Sequence, residues 1–242
     1  MFVPTMPLPF GFLPSFGASP AFYLSGYCTG VLAFAWLAKR RGLSTAGVWS
    51  VALVGLFGGL IGANLSQLIA SGGKEPGKSV LGGIIGGYLC VHLYKRRIGL
   101  TRPLGDLFAF ALSAGEAVGR WGCFFGECCY GRETDHAAWW SVYQHGAERY
   151  PTQVYMSVVS AAIFATLVVL EKRRSLPENG LFYVQGLLAC TARFAIEYYR
   201  TAAPVSLGLT AAQWACLAGV AFFGGMLARM MQTSRQTLEA AS

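Results

Sequence analysis

The chain has 242 residues, of which 54% are hydrophobic and only 12% charged, with a formal net charge of +8. A soluble domain carries about 25% charged residues, so this chain cannot wet the surface of a globule of its size; a soluble enzyme, a disordered tail and a small disulfide scaffold are excluded. The composition is that of a polytopic membrane protein.

Residues 1–19 are rich in proline and contain no Lys or Arg. They lack the basic start and small-residue cleavage site of a signal peptide, and are expected to form an outward-facing arm at the membrane interface. Apolar stretches follow at about 20–38, 46–70, 79–94, 103–118, 151–170, 180–199 and 207–228. Most reach or approach the roughly 20 residues that a helix needs to cross hydrocarbon, and they are too long and continuous for barrel strands. The third and fourth are short and glycine-rich. The prediction is an all-α polytopic membrane protein. Residues 20–229 form seven transmembrane helices with a folded outer, periplasmic head loop at 119–150, and residues 230–242 form a cytoplasmic tail.

Basic clusters close alternate spans: Lys39, Arg40 and Arg41 after the first, Lys95, Arg96, Arg97 and Arg102 after the third, Lys172, Arg173 and Arg174 after the fifth, Arg229 and Arg235 after the seventh. These twelve face four acids on the same side (Asp106, Glu171, Glu178, Glu239), which accounts for the whole net charge. The positive-inside rule therefore puts the N-terminus outside and the C-terminus in the cytoplasm. The basic balance encodes topology, and no nucleic-acid partner is needed to explain it. A weak internal echo, Gly58-Gly59-Leu60-Ile61-Gly62 against Gly82-Gly83-Ile84-Ile85-Gly86, is read as close helix packing; the second copy, beside the outer side, is also open to a lipid headgroup.

A charge inside a transmembrane helix costs a few kcal/mol or more unless it is paired or faces a polar cavity, at roughly 3 kcal/mol on insertion scales. The fourth span carries Glu116 and Arg120, spaced i,i+4; the sixth carries Arg193 and Glu197 at the same spacing, with Arg200 one turn later. Both pairs fall in the outer halves of their helices. The plain structural reading is two neutralised pairs tying helices together, and snorkelling accounts for Arg200 and in part for Arg120. Snorkelling does not explain Arg193, further inside. The guanidinium fork stays charged and donates two parallel hydrogen bonds, which suits phosphate. An outward chamber lined by these arginines reads as a cradle for a phospholipid headgroup.

The longest outer loop, about 119–150, follows the fourth span and is too long for a mere connector. It holds Cys123, Cys128 and Cys129, besides Trp139, Trp140, Tyr143 and Tyr150, which fit an aromatic belt at the interface. For the three cysteines the readings are a loop-stapling disulfide (Cys123 with Cys128 or Cys129), a redox or acyl-carrying nucleophile beside Arg120 and Arg132, and a structural metal. The spacing, with no fixed fourth ligand, is poor for zinc, and no metal site is predicted. Cys28, Cys90, Cys190 and Cys216 sit within spans as small core residues. His136 and His145 are loop histidines able to act as base or ligand, although such residues are usually just solvated; His92 faces the inner interface.

At this stretch the chain resembles the prolipoprotein diacylglyceryl transferase family. Gly119-Arg120-Trp121-Gly122-Cys123-Phe124 and Gly131-Arg132 stand in the order of the family's Gly-Arg-x-Gly-Asn-Phe and Gly-Arg. Pro151-Thr152-Gln153-Val154-Tyr155, Arg193-Phe194-Ala195-Ile196-Glu197-Tyr198-Tyr199-Arg200 and Gly82-Gly83-Ile84-Ile85-Gly86 resemble three further family motifs. The resemblance covers about residues 20–228. It implies a transfer reaction at the outer face of the bacterial inner membrane. A diacylglyceryl unit passes from phosphatidylglycerol to the lipobox cysteine of a prolipoprotein, releasing glycerol phosphate without metal or soluble cofactor. Arg120 and Arg193 match the family's two functional arginines; Glu116 and Glu197 would hold them, giving four catalytic candidates. Arg200, Arg132, Gln153, Tyr155, Gly82, Gly83, Cys123 and Glu127 are substrate-binding candidates.

Several family positions are changed. Leu81 stands where the family has His, Ser25 and Ala189 where it has Tyr, Cys123 for the signature Asn, and Met156 for Glu. The phosphate side is retained and the acceptor side altered, which implies a paralogous branch with a phosphatidylglycerol donor and either a lipoprotein precursor or another periplasmic acceptor. The alternatives are an anionic-lipid transporter or flippase, which predicts polar residues through the inner half of the bundle where only Asp106 stands out, and a non-catalytic lipid-binding paralogue.

Overall fold

The computed structural model describes residues 15–70, 72, 80–135, 140–174 and 176–239. Residues 1–14 of the predicted arm, His136, Trp139 and residues 240–242 of the tail lie outside them, as does the side chain of Leu81. The described residues form seven helices and one β-hairpin: α1 (Ser15–Arg40), α2 (Ala46–Ala70), α3 (Val80–Arg97), α4 (Gly105–Phe125), β1 (Val142–Gln144), β2 (Ala147–Arg149), α5 (Thr152–Arg173), α6 (Gly180–Glu197) and α7 (Ala211–Glu239). Four of the helices, α1, α2, α5 and α7, are long and apolar enough to cross a membrane. The other three are short or charged: α3 has 18 residues and ends on Lys95, Arg96 and Arg97, α4 carries Asp106, Glu116 and Arg120, and α6 has 18 residues with Arg193 and Glu197.

Every predicted span contains a helix, with different ends. α1 starts at Ser15, so the arm's last residues are helical. α4 runs to Phe125, so Gly119–Phe125, read as the start of the head loop, are its last two turns. Gly122 and Gly119 do not break the helix, because glycine is there for close approach: a Cβ on Gly122 would lie 3.0 Å from the Ser19 carbonyl and the Tyr23 ring of α1, and one on Gly26 would lie 2.8 Å from the Gly119 Cα. α7 continues through the polar residues after 230, which end the apolar stretch but not the helix.

The chain divides into two compact units, Met1–Phe34 with Gly105–Ser242, and Ala35–Leu104. In the second, α2 and α3 pack backbone to backbone. A Cβ on Gly86 would meet Gly58 O at 2.6 Å and Gly62 Cα at 2.8 Å, and one on Gly82 would strike Ser66. Helix packing thus accounts for both halves of the glycine echo, and the Gly82 and Gly83 Cα faces are taken up by α2. Leu53, Phe57, Ile61, Leu65, Ile84, Leu89 and Leu93 are exposed. A surface of this kind is matched to hydrocarbon rather than water.

In the first unit α4 packs on α5 and α6, α5 on α6, and α6 on α7. Phe110, Leu107, Leu167 and Leu181 form the buried apolar centre, with Phe110 edge-on to Phe164 at 5.6 Å. The N-termini of α4 and α6 are tied together. Asp106, 3% exposed, accepts the backbone N–H of Asn179 at 3.1 Å and of Phe182 at 3.0 Å, and the Asn179 side chain accepts the Gly105 N–H at 2.9 Å. A carboxylate on orphan N–H groups also complements the helix dipole. α4 and α6 therefore run in the same direction. At roughly 1.5 Å per residue, Arg120 lies about 22 Å along α4 and Arg193 about 20 Å along α6, at one level. Asp106→Ala removes two charge-assisted bonds, each of the type worth about 1.5–3 kcal/mol, and is expected to lower the thermal midpoint of the purified protein by several degrees, while Asp106→Asn retains part of the effect. Differential scanning fluorimetry in detergent checks this.

The head after α4 is small and heavily tied. β1 and β2 pair antiparallel around His145-Gly146, both with positive φ (51° and 76°), the type I′ geometry that matches strand twist. Arg149, 8% exposed, staples the head: it donates to the Gln144 carbonyl at 3.1 Å, pairs with Glu133 at 2.7 Å and lies 4.7 Å over the Tyr130 ring.

Candidate active site

In α4 the Arg120 guanidinium donates Nε to Glu116 Oε1 at 2.9 Å, with Nη2 on the same oxygen. The other carboxylate oxygen accepts the Ser160 hydroxyl of α5 at 3.1 Å. The pair is thus anchored to a second helix, and Nη1 of Arg120 has no protein partner among the described residues.

In α6, Arg193 Nη1 lies 2.7 Å from Glu197 Oε2, and Arg200, just beyond the helix, places Nε 3.4 Å from the same oxygen. The Thr210 hydroxyl donates to Glu197 Oε1 at 3.3 Å. The Glu197 side chain is 2% exposed. An anion so deeply placed needs paired charge and hydrogen bonds in place of water: Arg193 and Arg200 supply the charge as ion pairs to Oε2, which accepts no hydrogen bond among the described residues, and Thr210 supplies the hydrogen bond to Oε1. Thr210 is itself fixed by a capping box at the start of α7: the Gln213 N–H donates to Thr210 Oγ1 at 3.2 Å, and the Thr210 N–H donates to Gln213 Oε1 at 2.9 Å.

The two pairs are near enough to feel one another. Arg120 and Arg200 both lie within electrostatic reach of Arg193. Three guanidiniums against two carboxylates leave one net positive charge in the cluster. Each guanidinium is steadied by a carboxylate on one side, and a planar fork so held offers its remaining N–H groups to an oxyanion.

The other predicted binding residues serve the head that borders this cluster. Gln153, 1% exposed, donates to the Cys128 carbonyl at 2.8 Å and to Gln144 Oε1 at 3.3 Å. The Tyr155 hydroxyl donates to the Trp140 carbonyl at 2.9 Å, and its ring meets Tyr199 edge-on. Arg132 lies exposed over the Tyr150 and Tyr199 rings, at 5.7 and 6.0 Å, with its backbone N–H on the Tyr199 carbonyl at 2.8 Å. Gly131 beside it bonds the Tyr150 carbonyl at 3.0 Å, where a Cβ would lie 2.6 Å from the Tyr199 carbonyl. Glu127 sits on the outer surface, its carbonyl 2.7 Å from the His145 ring, and takes no part in the arginine cluster. Gly82 and Gly83 belong to the α2–α3 unit.

Cys123, Cys128 and Cys129 are free thiols with all three sulfurs within 4.8 Å of one another; the loop-stapling disulfide, one of the three readings, is not formed. The hydrogen bonds from the Cys123 and Cys128 thiols, followed by the Arg200 and Arg120 guanidiniums, hold the Cys129 thiol well below the ordinary thiol value, and the reciprocal contacts push Cys128 up. The Tyr23 hydroxyl donates to Cys123 Sγ at 3.3 Å.

Tyr23, Ser160, Thr210, Gln213 and Arg149 were not singled out by sequence reasoning. Thr210-x-x-Gln213 at a helix start is a legible capping box. Nothing in the sequence marks Tyr23 or Ser160, whose roles depend on which helix lies opposite.

The sequence profile of the family described as prolipoprotein diacylglyceryl transferase matches residues 20–229. The phosphatidylglycerol–prolipoprotein diacylglyceryl transferase of Clostridioides difficile (strain 630) is 28% identical over 208 residues, covering 80% of this chain and 81% of that one. That of Geobacter sulfurreducens is 28% identical, with 74% of this chain and 75% of the relative covered. That of Aromatoleum aromaticum (strain DSM 19018 / LMG 30748 / EbN1) is 34% identical over 166 residues, covering 64% and 62%.

Proposed function

Because the chain belongs to the prolipoprotein diacylglyceryl transferase family, we propose that it is a seven-span enzyme of the bacterial inner membrane that takes phosphatidylglycerol as donor and transfers its diacylglyceryl unit to a thiol acceptor, releasing glycerol phosphate. The observation that carries this reading is the cluster of Arg120, Arg193 and Arg200 at one level of the parallel helices α4 and α6, each steadied by a carboxylate. The names of the relatives give phosphatidylglycerol and a prolipoprotein as their substrates. The distribution of Lys and Arg supports a periplasmic N-terminus and a cytoplasmic C-terminus, which opens the cluster outward.

The headgroup phosphate sits among the guanidiniums, with Arg120 and Arg193 each presenting hydrogen bonds to its oxygens. The acceptor thiolate attacks the diacylglyceryl carbon that bears the phosphate ester. The S–C bond forms as that C–O bond breaks, and the electron pair stays on the glycerol phosphate. The charge gathering on the leaving phosphate is met by guanidiniums already in place, which favours the transition state over the ground state. Glu116, anchored by Ser160, and Glu197, anchored by Thr210, are positioning residues that hold the forks at their angle. Gln153, Tyr155 and Arg132 fix the head that closes the outer side of the cluster, and Cys123 lines it. No nucleic acid, metal or soluble cofactor enters this step. The acceptor is a lipoprotein precursor or another periplasmic thiol, since the family's His and Tyr positions are here Leu81, Ser25 and Ala189.

The test is purified protein with headgroup-labelled phosphatidylglycerol, a lipobox peptide and, separately, a membrane extract. The expected result is labelled glycerol phosphate in proportion to a lipidated acceptor. Saturable binding of the lipid without release under all acceptor conditions makes the chain a lipid-binding paralogue instead, and transfer of intact lipid between vesicle leaflets makes it a flippase.

A further inference from the structure

No chemical step of the reaction above falls to the three cysteines beside α4, and their arrangement stands independently of it. Cys123 is in the last turn of α4. The chain then turns back on itself: the Cys128 N–H donates to the Cys123 carbonyl at 3.0 Å, and Glu127 and Cys129 both take positive φ (47° and 58°). The result is three free thiols with all sulfurs within 4.8 Å of one another.

We infer that Cys123, Cys128 and Cys129 form a preorganised three-thiolate site for one soft, thiophilic metal ion, with Cu(I) the ion it fits best. A metal–sulfur bond of about 2.3 Å places three trigonally arranged sulfurs about 4 Å apart, within the spacing seen here. The turn is rigid where the ligands need it: the Cys128 carbonyl accepts from Gln153 at 2.8 Å, and the Cys129 carbonyl from the Thr152 hydroxyl at 2.9 Å and Arg200 at 3.0 Å. The Tyr23 hydroxyl, 3.3 Å from Cys123 Sγ and 3.7 Å from Cys128 Sγ, points at the same spot.

The choice of ion follows from ligand number and charge. Structural zinc takes four strong ligands, and among the described residues three sulfurs and a phenol hydroxyl converge here. Cu(I) is soft and satisfied by three thiolates. The resulting group carries two negative charges; Arg120 and Arg200 lie within electrostatic reach of Cys129, and the one net positive charge of the arginine cluster offsets part of them. Binding releases the thiol protons to solvent and needs no change of oxidation state.

The experiment uses the full chain in detergent, reduced and anaerobic, titrated with Cu(I) against a chromophoric chelator such as bathocuproine disulfonate, with Zn(II) in a parallel titration. The expected result is one Cu(I) per chain, three sulfurs at about 2.3 Å by X-ray absorption, and protection of Cys123, Cys128 and Cys129, mapped by mass spectrometry, from iodoacetamide. Each of Cys123→Ser, Cys128→Ser and Cys129→Ser weakens binding at least 100-fold, while Cys28→Ser and Cys190→Ser leave it unchanged. The alkylation map needs no variant, so it decides even if a serine variant fails to fold. The inference is overturned by protection that maps to other cysteines, by stoichiometry unchanged in the triple serine variant, by loss of all Cu(I) to the chelator, or by tighter binding of Zn(II) than of Cu(I) at the same three residues.

Discussion

Arg193→Lys is expected to lower kcat/KM for phosphatidylglycerol-dependent release of glycerol phosphate by at least about 100-fold, and Arg193→Ala by about 1,000-fold or more, the range for loss of a single preorganised transition-state donor. The lysine variant is the informative one. It keeps the charge, so a role limited to general attraction of an anionic lipid would survive it. It removes the planar fork, so a role that spends one edge on Glu197 and the other on phosphate does not. Arg193 holds Glu197 at 2.7 Å through Nη1, and the ammonium of Lys cannot reach both partners in that geometry. Arg120→Lys is expected to behave alike, because Arg120 repeats the arrangement with Glu116. The measurement is labelled glycerol phosphate release at several lipid concentrations, with the thermal midpoint of each variant recorded alongside. Wild-type rates in both lysine variants, with folding intact, would remove the arginine cluster from the reaction.

The residues that carry this prediction were legible for a simple reason. Glu–Arg at i,i+4 inside an apolar run is a costly feature in lipid, and the cost has to be recovered by a partner or a function. The helices themselves were legible from their apolar runs, but their ends were not. Gly119 and Gly122 resemble loop residues in sequence, whereas in the fold they are the surface against which α1 packs, so α4 runs on through Arg120 to Phe125. Seven spans could be counted in the sequence, yet among the described residues four helices are long and apolar enough on their own to cross a membrane, because α4 and α6 carry the Glu–Arg pairs and α3 is short and ends on Lys95, Arg96 and Arg97.

What was not legible is what comes from across a helix interface. Ser160 carries no signal of its own and Thr210 only that of a helix cap; both matter to the site because α5 and the start of α7 lie opposite Glu116 and Glu197. Likewise the spacing of Cys123, Cys128 and Cys129, with no fixed fourth ligand, argues against zinc but does not say whether the three sulfurs meet. The positive φ angles at Glu127 and Cys129 fold it into a cluster that spacing alone does not reveal.

Glu197→Gln is expected to have the second-largest effect, and its signature separates positioning from binding. The carboxylate is 2% exposed and shared by Arg193, Arg200 and Thr210. Gln is nearly isosteric and still accepts the Thr210 hydroxyl, so the change removes mainly the charge. Breaking a buried pair costs about 3–5 kcal/mol; with Arg193 and Arg200 still partly solvated, the lower end applies, and the thermal midpoint is expected to fall by roughly 5–10 °C. Thr210→Val is expected to be milder, and the double variant to cost less than the two singles together, because both act on one network. The kinetic consequence runs against simple electrostatics. Loss of a negative charge makes the chamber more positive, so an anionic lipid binds as well or better and KM holds or falls. The arginines meanwhile lose the anchor that sets their angle, so kcat falls, by about 100-fold on the scale of a misplaced transition-state donor. A lower kcat with a steady or lower KM is therefore the mark of a positioning carboxylate. A raised KM with kcat intact places Glu197 instead on the acceptor side, holding the incoming thiol rather than the forks that receive the phosphate.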